Sequence, residues 1–290
     1  MAAMTTTAFQ RYGRALVAVA LAHCAAANPR PTSSVVGPIV IAPTTVFSLQ
    51  WVVLVVGRSE PLADAPQARA RTHAVSLAYG RYVRATRLAQ SRRVDVRRFE
   101  QLAQLAQQRF STGSAPRGDV DASQQATRTA EIASLAAEDD LRGARESLGS
   151  LLRQPRGAEL PPPADLAAVT AHGDLESWLA LARTHRAADD PDRVRRDVTA
   201  AHERLVALVA SWNQGRAEWS TPESIAWDAP RARYTSGLIT LGALVEAVDA
   251  AGRMQRAITD LAARIADASA DLELAVGAPL PREPLPSPSE

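Results

Sequence analysis

Residues 109–118 read RFSTGSAPRG and residues 233–242 read RYTSGLITLG, so the second stretch repeats the first at an offset of 124. Arg109 and Arg233, Phe110 and Tyr234, Gly113 and Gly237, and Gly118 and Gly242 fall in register without a gap. The agreement continues downstream. Ala130, Ser134, Ala137, Leu141, Ala144, Leu148 and Leu151 are matched by Met254, Ile258, Leu261, Ile265, Ala268, Leu272 and Ala275. Both series step 4, 3, 4, 3, 4, 3, the spacing of a coiled-coil seam. Many of these residues are small, which suits close helix–helix approach. Both copies then run into Gly and Pro, Gly157 to Pro161 and Gly277 to Pro281, which stop helices. A helix over residues 119–152 would be about 50 Å long at 1.5 Å per residue.

Upstream of the first copy, residues 62–109 also read as helix, with no proline after Pro66. The segment 110–118, with Pro116, turns the chain, and two long helices joined by a short connection form an antiparallel hairpin. After Pro161-Pro162-Pro163, residues 174–185 and 191–212 are two more helical stretches. Asp189-Asp190-Pro191 is a helix start, with acids near the N-terminus and proline in the first turn. The expected fold is mainly α: long antiparallel coiled-coil hairpins in two repeated halves, with a short β segment near the N-terminus. The expected boundaries are a signal peptide at 1–27, a strand segment at 28–60 and a first hairpin at 61–155. A proline-rich linker at 156–171, a shortened second half at 172–277 and a disordered tail at 278–290 follow.

The N-terminus carries Arg11 and Arg14 before a short apolar run, ALVAVALA at 15–22, and then Ala25, Ala26 and Ala27. A positive start, a brief apolar core and a small-residue end form the pattern of an export signal, cut after Ala27. Cys24 offers a second reading, lipidation after cleavage just before it, although His23 fits that rule poorly. A buried alanine-rich helix is a third. No charged residue occurs between Arg30 and Arg58. There Phe47, Leu49, Trp51, Val53 and Val55 share one face of an extended chain, opposite Ser48 and Gln50. A membrane strand, a strand of a soluble sheet and a membrane helix all remain open for this segment.

The chain has 290 residues, 46% apolar and 22% charged, which excludes wholesale disorder. Aromatics make up only 4%, a poor supply for a thick β-sandwich core. The net charge of +2, with every basic residue an Arg, does not point to a nucleic-acid partner. One cysteine excludes a disulfide framework within the chain. His73, His172, His185 and His202 lack metal-ligand spacing, no phosphate loop or nucleophile elbow occurs, and there is no lysine. The sequence gives no support for an enzyme, a metal or a cofactor.

The motif order resembles that of the TolC-like outer-membrane efflux family. Members carry, in each half, a basic–aromatic pair, then Gly and a long helix. Here those stretches are RFSTGSAPRGDVDAS at 109–123 and RYTSGLITLGALVEA at 233–247, with LGSLLRQPRGAELPPPADL at 148–166 similar to the inter-half linker. Residues 191–212, ending VASW, look like the family's opening helix of the second half. The resemblance implies a homotrimer in the outer membrane and periplasm, working as a passive export duct with a periplasmic adaptor and an inner-membrane pump. It implies that the two turns are the periplasmic tips where the adaptor docks, at Gly113, Ser114, Ala115 and Gly118 and at Gly237, Leu238, Ile239, Thr240 and Gly242. It places Asp119 at the constriction, with Ala243 at the matching place in the second half. One departure stands out: residues 213–232 are too few for a strand pair plus a long helix before the second tip. A non-conducting periplasmic coiled-coil structural or adaptor protein, a truncated relative, is the alternative.

Overall fold

The structure is a computed structural model that describes residues 47–49, 52–53, 65–164, 166–169, 174–219 and 227–285. The expected signal peptide and Cys24 lie outside the described residues. The described elements run α1 (Ala65–Ser111), α2 (Arg117–Leu151), β1 (Ala167–Val169), α3 (Leu175–His185), α4 (Pro191–Trp219), α5 (Asp228–Thr235), α6 (Leu241–Val276) and β2 (Arg282–Pro284). No helix among the described residues is long and apolar enough to cross a membrane.

The seam expected from the repeat is the packing surface of both copies. Ala130, Ser134 and Leu148 are buried on α2, and Ala137, Leu141, Ala144 and Leu151 are half-buried. On α6, Ile258, Ile265, Ala268, Leu272 and Ala275 are buried, with Met254 and Leu261 half-buried. No seam residue is exposed. The two copies differ in company. α2 packs mainly along α1, whereas α6 packs along α1, α4 and α3 and against β1. α6 is therefore the central rod, and most apolar side chains gather around its C-terminal half.

The direction of α4 corrects the reading of residues 191–212 as an opening helix. Arg69, near the start of α1, bonds the His185 carbonyl at 3.5 Å and Asp189 at 3.4 Å, just ahead of α4. At the other end, Arg109 of α1 stacks on Tyr234 of α5. α1 and the α4–α5 pair thus run the same way, and α2 and α6 return. Residues 191–235 occupy the place in the second half that residues 65–111 occupy in the first. The buried residues agree: Val75, Tyr82, Ala85 and Ala89 are matched by Val198, Leu205, Leu208 and Trp212, at an offset of 123. The offset is 124 at the turns, so one residue is gained between Trp212 and Tyr234. One residue turns a helix by about 100°, so a single unbroken helix could not keep both registers. The helix expected over residues 191–212 runs further. In the structure α4 continues to Trp219, whose ring lies over Gly215 and meets Trp212 edge-on at 5.2 Å between centroids.

The connection from α2 to α4 carries β1 and α3. Two tyrosines fasten its proline-rich start to α1. The Tyr82 hydroxyl donates to the Pro161 carbonyl at 3.0 Å, and the Tyr79 hydroxyl lies 3.4 Å from the Ala164 carbonyl while it donates to the Phe47 carbonyl, ahead of α1, at 2.7 Å. The Phe47 ring sits beside both, 5.8 and 6.2 Å away. The linker then forms β1, held to α6 by the Val169 N–H and the Ser269 hydroxyl at 3.0 Å. β1 pairs antiparallel with β2, Ala168 opposite Glu283. Residues 278–285, expected from composition to be disordered, are thus ordered: Leu280 is buried and Arg282 pairs with Glu273 at 2.7 Å. Local side-chain anchors override the proline-rich composition there.

The expected strand segment at 28–60 falls largely outside the described residues. Phe47 makes an isolated bridge to Pro163, but Leu49, Val52 and Val53 are helical, and the Val52 N–H bonds the Ser48 carbonyl at 3.0 Å. The alternation starting at Phe47 does not extend there as a strand. Val52 and Leu54 interrupt it with apolar side chains on the wrong face, which leaves periodicity unable to choose.

Candidate functional site

The two turns are built alike, atom for atom in their backbone bonds. The Gly113 N–H bonds the Phe110 carbonyl at 2.9 Å and the Ser114 N–H bonds the Arg109 carbonyl at 2.7 Å. The Gly237 N–H bonds the Tyr234 carbonyl at 2.9 Å and the Leu238 N–H bonds the Arg233 carbonyl at 2.8 Å. This pair of bonds, with a left-handed residue between them, is the Schellman ending of a helix. It requires positive φ, and Gly113 and Gly237 supply it at 71° and 76°. Pro116 and Thr240 then start α2 and α6 with the same extended backbone, ψ 159° and 162°. Thr240 also caps its helix, accepting from the Ala243 N–H at 3.2 Å, which Pro116 cannot do. Gly118 and Gly242 lie in the first turns of α2 and α6, where a Cβ would meet open space or only the Thr240 hydroxyl at 3.9 Å.

The structure brings the turns together at one end of the bundle. Arg109 lies across the Tyr234 ring, its guanidinium carbon 4.5 Å from the centroid. Its Nη1 donates to the Tyr234 carbonyl and its Nη2 to the Ser114 carbonyl at 3.1 Å, so one side chain ties both turns. The buried Tyr234 hydroxyl donates to Asp119 Oδ2 at 3.3 Å. Burial, reinforced by the Asp119 carboxylate, pushes the Tyr234 phenol above its usual range, so it stays a neutral donor at physiological pH. Asp119 also sits in the first turn of α2, where a carboxylate faces the positive end of the helix dipole.

Below the turns a small apolar cluster joins α1, α2, α5 and α6 through Phe99, Leu102, Ala130, Tyr234, Leu241, Leu244 and Val248. Ile239 packs on its edge, and Ala115 is half-buried. Outward, the turns present large apolar side chains: Phe110 is 39% exposed and Leu238 72%. The equivalent positions have opposite fates, since Tyr234 is buried and Phe110 is not. The sequence reading named the turn residues and Asp119 but missed the linking roles of Arg109 and Tyr234. Their signal was present as the basic–aromatic pair that opens each copy. Among the described residues no group of three His, Cys, Asp or Glu side chains could hold a metal ion.

No protein-family model and no curated protein matches the sequence. Solved structures do. The chain is similar to the outer-membrane protein VceC of Vibrio cholerae, with a TM-score of 0.59 at 12% identity over 79% of this chain and 74% of that one. It is similar to the outer-membrane channel OprN, with a TM-score of 0.53 at 14% identity over 78% and 69%. It is also similar to the CmeC outer-membrane channel of Campylobacter jejuni, with a TM-score of 0.56 at 8% identity over 79% and 66%. The repeated hairpins therefore have the helical architecture of outer-membrane channel subunits. At these identities the likeness is one of fold, and the fold is that of the TolC-like channels whose motif order the sequence resembles.

Proposed function

We propose that this protein is a component of an outer-membrane efflux duct, exported through its N-terminal signal and assembled as a homotrimer. In this reading the duct is passive, and an inner-membrane pump and a periplasmic adaptor supply energy and cargo. The observation that carries it is the pairing of two turns of the same backbone form at one end of a TolC-like bundle, tied by Arg109, Tyr234 and Asp119. The exposed Phe110 and Leu238 are the apolar contacts an adaptor would meet, and Asp119 lines the constriction. The test is fractionation of the full chain in a Gram-negative host, followed by alkaline extraction of the outer membrane. Retention there, with a trimer-sized species in detergent, supports the duct. Release as a soluble periplasmic protein contradicts it.

A second reading, a non-conducting periplasmic coiled-coil protein, has its own observation. A membrane-crossing strand needs about 9–11 residues. Between Leu151 and Pro191 the described residues hold one three-residue strand, β1, paired to β2 rather than to a hairpin partner. The described residues between α2 and α4 then supply no membrane-spanning strand pair.

A further inference from the structure

α2 packs on α1, α1 on α6 and α6 on α4, so among the described residues α2 and α4 end the row. The middle junction, α1 with α6, joins the descending arm of the first half to the ascending arm of the second. Its counterpart under the repeat is α4 with α2. Within one chain those two helices lie at opposite ends of the row.

The side of α6 that meets α1 carries Arg256, Thr259, Asp260, Asp267 and Asp271, none of them exposed. Their counterparts on α2, 124 residues earlier, are Ile132, Leu135, Ala136, Gly143 and Ser147, all of them exposed. Gly80 and Val83 of α1 are buried, whereas Glu203 and Val206 of α4, 123 residues later, are exposed. Outside the turns, the exposed large apolar side chains among the described residues are Ile132 at 70%, Leu135 at 66% and Val206 at 42%. All three fall on these two uncovered sides, and contiguous exposed apolar surface of this kind marks a contact.

The inner junction also sets a register. A Cβ on Gly80 would lie 3.3 Å from Asp267 Oδ1, Arg84 Nε donates to Asp260 Oδ1 at 2.7 Å, and Thr72 and Ala270 line one cleft. Carried over by 123 and 124 residues, these pairs put Glu203 opposite Gly143, Ala207 opposite Ala136 and Arg195 opposite Glu146. The glycine–carboxylate pair is kept with its members exchanged. Nothing among the described residues accounts for Gly143, since a Cβ there would meet nothing within 4 Å and a helix interior disfavours glycine. The Arg84–Asp260 ion pair becomes two alanines, which permit close approach, and Val206 falls beside Leu135. Arg195 and Glu146 are both exposed and of opposite charge.

We propose that a second copy of this chain lays its α4 antiparallel along α2, with Glu203 over Gly143, Val206 against Leu135 and Arg195 beside Glu146. The contact is head to tail, so each copy offers one α2 side and one α4 side, and a closing rotation makes a ring. The inference rests on the homo-oligomeric part of the reading above and gives that assembly its contact surface; it does not rest on the duct.

The test mixes two full-length chains, both Cys24→Ser, one with Glu203→Cys and the other, tagged to differ in mass, with Gly143→Cys. Mild oxidation gives a disulfide-linked pair containing one of each chain, and neither chain alone gives any. Replacing Gly143→Cys by Arg128→Cys, about 22 Å further along α2 at 1.5 Å per residue, loses the product. Ile132→Glu with Leu135→Glu, both changes at exposed positions, leaves the circular dichroism unchanged and reduces the oligomer to monomer by sedimentation. A cross-link between two Glu203→Cys chains, no cross-link in the mixture, or an unchanged oligomer mass in the folded double variant would overturn the proposal. Cross-linking in a chain released as a soluble periplasmic protein keeps this surface and rejects the duct, whereas outer-membrane retention without it does the reverse.

Discussion

The two hairpins use one plan with different support. Each ends its descending arm in the same Schellman turn and places the N-cap of its ascending arm three residues after the glycine. Even the far ends agree, since Gly277 after α6 and Arg153 after α2, 124 residues apart, both take positive φ, 85° and 55°. The arms differ. In the first half a single 47-residue helix descends, and α2 packs mainly on it. In the second the descending arm is split into α4 and α5, yet α6 is the more deeply buried helix because α1, α3, α4 and β1 pack along it, with α2 and α5 at its edge. The lesson is that turn geometry is local and repeats faithfully, while burial is set by neighbours that the repeat does not encode.

Equivalent seam positions should therefore respond unequally. Ile265 is fully buried and its counterpart Leu141 only half-buried. Ile265→Ala should cost about 3–4 kcal/mol and Leu141→Ala about 1 kcal/mol by urea denaturation, and equal costs would break the distinction. The glycines sharpen it from the other side. Gly277→Ala should cost about 2 kcal/mol, the left-handed penalty plus a Cβ contact of 2.8 Å with Arg186. Gly113→Ala and Gly237→Ala, free of such clashes, should each cost about 1 kcal/mol and match one another in thermal melts. Tyr234→Phe should cost about 1 kcal/mol through the lost bond to Asp119. The mirror change Phe110→Tyr should shift the same melt hardly at all, because Phe110 is already exposed.

The smallest effect is electrostatic and centres on Asp267 of α6. Burial, with Asp271 next, raises the Asp267 carboxyl above its ordinary 3.8. The folded chain holds that proton more tightly than the unfolded one. Its stabilising share is thus complete below 3.8 and is lost as pH rises through the folded-state value. Asp267→Asn should flatten the decline in stability over that acidic window, measured by urea titration at stepped pH.

Much of this was legible in the sequence. The seam, both turns and the starts of α3 and α4 follow from heptad spacing, glycine placement and Asp-Pro caps, all of which act within a few residues. The direction of α4 was not legible, because it is fixed by Arg69 reaching His185 and Asp189 across 116 and 120 residues. The ordering of residues 278–285 was hidden for the same reason: Glu273 and β1 hold a segment whose own composition would leave it loose. At the site, the turn residues were readable as a repeated motif. The Arg109–Tyr234–Asp119 link was not, since nothing local says that the two turns meet.

That meeting is the central claim, and a distance between the turns tests it most directly. Spin labels at Ser111 and Thr235, the last residues of α1 and α5, in a chain with Cys24→Ser, report it by double electron–electron resonance. A single narrow distance well below half the length of α6, which is about 54 Å at 1.5 Å per residue, is the predicted result. A broad distribution, or a distance approaching the full helix length, would contradict the account.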